Sequence, residues 1–365
     1  MISLPPKLTP IFDALYTHNI TPIVVGGYVR DALLNIHSKD IDIELYNMHS
    51  LEELETILKP FGKLNLVGKS FGVIKLRLQE LEIDFSPPRI ESKHASGHKG
   101  FEIRYDFTLD FATAARRRDF TINAIGYNPQ TKTLLDPYNG IKDLSAKRLM
   151  CVDPKTFIED PLRPLRAVQF TARFTLTCDP QLLALCKEMI AQGAFEELPK
   201  ERIFEEIKKL LLFSQKPSLG LRLLAQMGGS TLFAPPSKET WENALIRCDA
   251  IASIRMGNEK KDLPLMLAAL LLDVLDPETV LKHISFHRSL FTATRAVIDY
   301  TRKWGILAFP PKPLLMGRDL IALGFSPSKD FKKMLDDAYE AQLNQEFSTE
   351  NDAQQWLKIH SVTAL

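Results

Sequence analysis

Apolar and polar positions change rhythm once along this chain. Up to about residue 150, short β-branched runs alternate with turns: Pro22 to Gly27 (PIVVGG), Asp40 to Leu45 (DIDIEL), Gly72 to Leu78 (GVIKLRL) and Leu81 to Phe85 (LEIDF). Period-two alternation reads as strands, and the stretch Leu51 to Lys59 (LEELETILK) between them reads as a helix. From Pro161 onward strand patterns nearly vanish. Apolar residues then recur at helical spacing in Pro161 to Phe174, Pro180 to Ile190 and Glu201 to Phe213. The pattern predicts an α+β chain with a small α/β head followed by an all-helical remainder. The pairs Pro235-Pro236 and Pro310-Pro311 mark joints within that remainder, and no solenoid period is visible.

Composition narrows the class. At 365 residues the chain exceeds one ordinary core of ~100–200 residues. With 45% hydrophobic and 25% charged residues it has globular composition. Forty-six Lys and Arg face 45 Asp and Glu, so a nucleic-acid partner requires a local basic patch. The start MISLPPKLTP lacks a basic and apolar leader, and no run approaches the ~20 apolar residues of a membrane span. A cytoplasmic protein with no membrane partner is expected. The four cysteines, Cys151, Cys178, Cys186 and Cys248, have neither CxxC spacing nor histidines at zinc intervals, and are expected to be reduced core residues.

Two segments carry candidate chemistry. Val24 to Asp31 (VVGGYVRD) runs from an apolar strand through Gly26 and Gly27 into a helix start, where free N–H groups favour phosphate, with Arg30 one turn inside. A plain tight turn gives the same spacing. In Asp40 to Glu44 (DIDIE), alternation puts Asp40, Asp42 and Glu44 on one strand face. Clustered carboxylates are costly without a cation, and hard oxygen ligands suit Mg²⁺ bridged to phosphates; a solvated strand face is the plainer alternative. Leu81 to Phe85 repeats the alternation and offers Asp84 as a third carboxylate or as an edge-strand acid.

Together these segments resemble the signature of the class II tRNA nucleotidyltransferases and bacterial poly(A) polymerases, within the DNA polymerase β-like superfamily. Four further stretches match in order: Val67 to Val73 (VGKSFGV), Arg117 to Ala124 (RRDFTINA), Glu159 to Arg166 (EDPLRPLR) and Glu201 to Glu206 (ERIFEE). The resemblance implies a polymerase β-like nucleotidyltransferase head over 1–150, a helical neck with a nucleotide-selecting motif over 151–215, and a helical, tRNA-binding body and tail over 216–365. It implies that Asp40 and Asp42 hold Mg²⁺ for two-metal transfer from CTP and ATP to tRNA; the alternation of Leu81 to Phe85 adds Asp84 as a third candidate catalytic carboxylate. It also implies that Asp160 and Arg163 select the base, with Arg118, Arg166, Gly26, Gly27 and Arg30 around the nucleotide. A carboxylate accepting the exocyclic amine shared by C and A, beside a guanidinium donor, is sound chemistry for that choice. The i, i+3 spacing puts Asp160 and Arg163 on one helix face.

Departures qualify the match. Where relatives often carry another Arg, this chain has Gln169, with Arg173 as a nearby substitute. The polar loop Pro88 to Gly100 resembles the element family members use when switching from C to A addition. Some bacterial relatives carry a His-Asp phosphohydrolase domain; here Leu272-Asp273 stands in the corresponding helix, implying a scaffold without those metal ligands. The expected activity is full CCA addition, with no obligate protein partner. Alternatives are CC-only or A-only addition, poly(A) polymerisation, or a catalytically silent RNA-binding protein.

Overall fold

A computed structural model of the chain describes residues 2–65, 72–93, 101–322 and 330–361. In chain order the head comprises α1 (Thr9–Thr17), β1 (Thr21–Val25), α2 (Gly27–Leu33), β2 (Asp40–Tyr46), α3 (Leu51–Leu58), β3 (Lys63–Asn65), β4 (Ile74–Leu78), β5 (Leu81–Ser86), β6 (Arg89–Lys93), β7 (Phe101–Tyr105), α4 (Phe111–Ala115), β8 (Gly126–Asn128), β9 (Thr133–Leu135), α5 (Gly140–Ser145) and β10 (Arg148–Leu149). Seven strands form one sheet in the order β3-β4-β5-β2-β1-β8-β9, in which β2 runs parallel to β5 and antiparallel to β1.

The pleat sorts the residues of this sheet. Ile41, Ile43 and Leu45 of β2, with Val24, Ile74, Leu76, Ile83 and Phe85, are buried in the core that also holds Ile11, Leu15, Leu54 and Leu58 from α1 and α3. The opposite face carries Asp40, Asp42 and Glu44, then passes into an apolar patch of Ile23, Val25, Tyr46 and Ala114. Local chemistry sets the helix starts: Ser50 accepts from Glu53 N at 3.2 Å ahead of α3, and Asp110 accepts from Thr113 N at 2.7 Å ahead of α4.

Helices follow: α6 (Pro154–Phe157), α7 (Arg163–Phe174), α8 (Pro180–Ala191) after the two-residue β11 (Thr177–Cys178), α9 (Lys200–Phe213), α10 (Pro217–Gln226), α11 (Lys238–Ser253), α12 (Glu259–Leu271), α13 (Pro277–Ile284) and α14 (Arg288–Trp304). The expected change from mixed to helical structure is present, with β11 as the one strand after Pro161 among the described residues. By compactness the chain divides into two units, Met1–Arg295 and Ala296–Leu365. The second unit has its own core of Leu315, Leu320, Ala338, Phe347 and Leu357, from α15 (Gly317–Ala322), α16 (Asp330–Leu343), α17 (Glu350–Ser361) and the segments that adjoin them. No helix among the described residues is long and apolar enough to cross a membrane. Leu272 is the C-cap of α12, and the neighbouring Asp273 pairs with Arg247 at 2.6 Å.

All four cysteines are free; Cys186 and Cys248 are buried, Cys151 and Cys178 half-buried. Burial pushes the Cys178 and Cys248 thiols up to about 12, which keeps them protonated and poor nucleophiles.

Candidate active site

The site is built where β1 turns into α2. Gly26 has φ +70°, ψ −129°, a conformation closed to side-chain-bearing residues. A Cβ there would lie 3.0 Å from Arg118 Nη1 and 3.9 Å from Asp42 Oδ2, so the missing side chain admits a guanidinium beside a carboxylate. Val25 pairs with Asp42 across β1 and β2, and Asp84 stands directly opposite Asp42 across the parallel β2–β5 pair. The register therefore brings Asp40, Asp42, Asp84, Gly26 and Arg118 together.

Asp40 and Asp42 are exposed, whereas Glu44 on the same face is 1% exposed. Glu44 is enclosed by basic and phenolic groups: Arg117 and Arg118 approach its Oε1 at 3.3 and 3.6 Å, and the Tyr46 hydroxyl donates to its Oε2 at 2.8 Å. Burial and the adjacent Glu44 keep the Tyr46 phenol far above its usual range, so it remains a donor. Glu44 thus anchors the arginine turn and leaves the two aspartates to face solvent. Asp42 is reachable by solvent yet hemmed by protein. Desolvation lifts its pKa above the ordinary carboxylate value, Asp84 and Asp40 add to the rise, and Arg118 opposes it.

A divalent cation fits this donor set. Two hard-oxygen ligands project from one strand face, Asp42 is destabilised as an anion, and the remaining positions suit phosphate oxygens and water. No three His, Cys, Asp or Glu side chains among the described residues converge into one metal-ligating group. Asp84 Oδ2 is instead held by Lys75 Nζ at 2.7 Å.

Arg30, expected to face an anion, is 4% exposed and turned inward. It donates to Asp31 Oδ1 at 2.8 and 2.6 Å and to Asn123 Oδ1 at 2.5 Å, and its guanidinium lies over the rings of Phe170 and Phe174 at 5.0 and 4.5 Å. Asn123 in turn donates to Asp119 at 2.9 Å, and Arg166 donates to Asp119 at 2.7 Å while lying 3.9 Å from Glu206. Burial works to raise the Asp119 pKa, but Arg166, Asn123 and Arg163 outweigh it and hold the carboxyl below its ordinary value. This chain of contacts links α2 and the Arg117 to Ala124 segment to α7 and α9. Its members Asp119, Asn123 and Glu206 lie inside segments that sequence reading singled out, but periodicity assigned them no role.

Asp160 and Arg163 are not on one helical face, because α7 begins only at Arg163. Asp160 precedes it and accepts from Leu162 N at 3.0 Å, with Arg202 at 3.6 Å from its other oxygen. Arg163 is 8% exposed and donates to the carbonyls of Thr156 and Arg117, both at 2.7 Å. A carboxylate with about four acceptor positions retains room for a base amine. Arg163 has two of its five donors engaged in fastening α7 to the arginine turn.

Arg116 pairs with Asp153 at 2.6 Å. Gln169 is 2% exposed and its Nε2 has no hydrogen-bond partner, while Arg173 lies 3.7 Å from Asp31 and over the Phe174 and Phe213 rings. Of the stretch Val67 to Val73, residues 67–71 lie outside the described residues. So do residues 94–100 of the switching loop, whose flanks are the paired strands β6 and β7.

The chain is similar to known proteins in sequence and in fold. Residues 23–150 match the family model described as "Poly A polymerase head domain", and residues 176–235 match "Probable RNA and SrmB- binding site of polymerase A". The chain is 37% identical over 215 residues to a multifunctional CCA protein of Xanthomonas oryzae pv. oryzae (strain MAFF 311018), covering 58% of this chain and 50% of that protein. It is 35% identical over 215 residues to one from Xylella fastidiosa (strain M12), covering 58% and 49%. The chain spans about half the length of the curated relatives it matches. Among solved structures, a CCA-adding enzyme in an apo form superposes with a TM-score of 0.71 at 22% identity, covering 99% of this chain and 97% of that one. Thermotoga maritima CCA-adding enzyme complexed with tRNA gives 0.70 at 23% identity, covering 98% and 96%. At these identities the structural likeness is one of fold, and it extends through the helical remainder as well as the head.

Proposed function

We propose that the chain is a member of the tRNA nucleotidyltransferase/poly(A) polymerase family and adds C, C and A to the 3′ end of tRNA from CTP and ATP, releasing pyrophosphate. The observation that carries the reading is the register of Asp42 against Asp84, beside Arg118 packed over the side-chain-free Gly26 turn. It unites one anion-bearing and one cation-bearing surface, as nucleotidyl transfer requires. Names and ligands of the matching proteins, among them CTP, ATP and tRNA, point to the same substrates.

Asp40 and Asp42 are the proposed holders of Mg²⁺, with Asp84 beside Asp42 across the strand pair but engaged by Lys75. When bound, the metal supplies activation of the 3′-hydroxyl and charge neutralisation on the leaving pyrophosphate. The chain's own residues do the rest. Arg118 meets triphosphate charge in a crowded site where a fixed cation is worth more than in water. Asp160 accepts from the exocyclic amine that CTP and ATP share and that UTP lacks. Arg163 and Arg166 act on the nucleotide through α7, whose start they hold against the arginine turn, and Gly26 and Gly27 let the phosphates approach backbone. Arg30 acts from beneath, through Asp31 and Asn123. The helical part, including the segment matched at 176–235, is the proposed tRNA-binding surface, and the cytoplasm the proposed compartment.

Incubating the purified chain with tRNA ending before the first C, with labelled CTP, ATP and Mg²⁺, tests the proposal. Sequential addition of C, C and A is expected. A homopolymer grown from ATP alone would favour poly(A) polymerisation, and no incorporation would leave an RNA-binding protein. In the same assay, Asp160→Ala is expected to erode discrimination against UTP by about tenfold to a hundredfold, the range set by one base-pairing contact of ~1.4–3 kcal/mol. Unchanged selectivity with unchanged rate would place base choice elsewhere.

A further inference from the structure

The carboxylate cluster contains a cation of the chain's own. Lys75 on β4 is the cross-strand neighbour of Asp84, which itself stands opposite Asp42. Its Nζ donates to Asp84 Oδ2 at 2.7 Å. A lysine amine hydrogen-bonded to a carboxylate on a partly exposed strand face is an ammonium at neutral pH. Asp84 is the natural third ligand by position, yet the described residues contain no converging group of three metal-ligating side chains.

We propose that Lys75 is a positioning residue that withholds Asp84 from divalent metal, a tethered competitor that restricts the nucleotide-free site to the Asp40–Asp42 pair. The proposal rests on the reading of Asp40 and Asp42 as the metal site. The physics is that of two cations competing for one anion. An ion shared by Asp42 and Asp84 would have to displace the ammonium from its hydrogen bond and then bear its repulsion at short range. The lysine side chain is 47% exposed, so water screens the repulsion, and the expected penalty is roughly tenfold in metal affinity. The functional consequence is that metal held weakly by the free protein is retained once a triphosphate contributes its own oxygens. Ordered entry of nucleotide and metal together follows from a side chain that no sequence motif marks.

The test is Mn²⁺ binding to the full chain without nucleotide, read as loss of the free-ion paramagnetic resonance signal. Lys75→Met is expected to bind Mn²⁺ about tenfold more tightly than the wild type, Lys75→Arg to bind like the wild type, and Lys75→Met with Asp84→Asn to lose the gain. Because β4 is flanked by β3 and β5 and the lysine head is half-exposed, these variants are expected to melt like the wild type; Lys75→Gln serves as a second neutral variant. If wild-type binding is lost in Asp42→Asn but Lys75→Met and Lys75→Gln leave affinity unchanged, the lysine merely pairs with a strand-face acid and the proposal is overturned. If Mn²⁺ binding is absent, or indifferent to Asp42→Asn, the metal reading itself fails and this inference falls with it.

Discussion

Replacing Asp42 with asparagine is expected to reduce nucleotide incorporation by a thousandfold or more while leaving the protein folded. The side chain is exposed and takes no part in the core, so its loss creates no cavity. A metal ligand supplies several kcal/mol of transition-state stabilisation, and ~1.4 kcal/mol is a factor of ten in rate. The stability change should run the other way. Desolvation, Asp84 and Asp40 raise the Asp42 pKa, so above the ordinary carboxylate range the ionised group costs the folded state more than the unfolded one. Removing the charge should leave the melting temperature at neutral pH unchanged or slightly higher. Activity near the wild-type level in a protein that melts normally would remove Asp42 from the metal site. A large fall in melting temperature would mean that its role is structural.

Arg30→Met should do the reverse and cost stability first. The Arg30–Asp31 pair is buried on both sides, at 5% and 6% side-chain exposure, and the guanidinium also serves Asn123 and two phenylalanine rings. Deleting one member of such a pair strands the other and typically costs ~3–5 kcal/mol. Burial lowers the Arg30 pKa from its ordinary value, with Asp31 acting against that, but the group stays charged at any working pH. Lysine should rescue only in part, because an ammonium cannot make the forked contact with Asp31 and Asn123 together. The measurement is the thermal or urea midpoint, paired with CTP affinity of the folded fraction. A normal midpoint with weakened CTP binding would instead return Arg30 to direct contact with the nucleotide.

These two residues show how far each kind of reading reaches. The alternation Asp-Ile-Asp-Ile-Glu was enough to place Asp40, Asp42 and Glu44 on one face, because side-chain direction in a strand is a local property of the backbone. It could not distinguish Glu44 from the aspartates. What buries Glu44 is an arginine turn more than 70 residues away in sequence, pressed against the sheet by α4. Asp84 was visible as a candidate by the same alternation, yet only the pairing register stood it opposite Asp42 rather than one step along. The assumption that Asp160 and Arg163 share a helix face failed for a reason of chain geometry. Asp160 folds back on Leu162 N and holds the turn that precedes α7, so the helix starts three residues later than i, i+3 spacing requires.

By itself, then, the sequence determined the change from mixed to helical structure, the strands β1, β2, β4 and β5 with the helix α3, the carboxylates of β2 and the glycine turn. Hydrophobic period, turn chemistry and ordered motifs are written within short stretches of chain. Only the tertiary structure decided which charged groups remain at the surface of the site and which are consumed beneath it. Arg30 became an internal strut, Arg163 a fastener of α7, Glu44 an anchor for Arg117 and Arg118, and Lys75 a partner of Asp84. A charge is spent or free according to what packs against it, and that is set by sheet order and helix docking between segments distant in sequence.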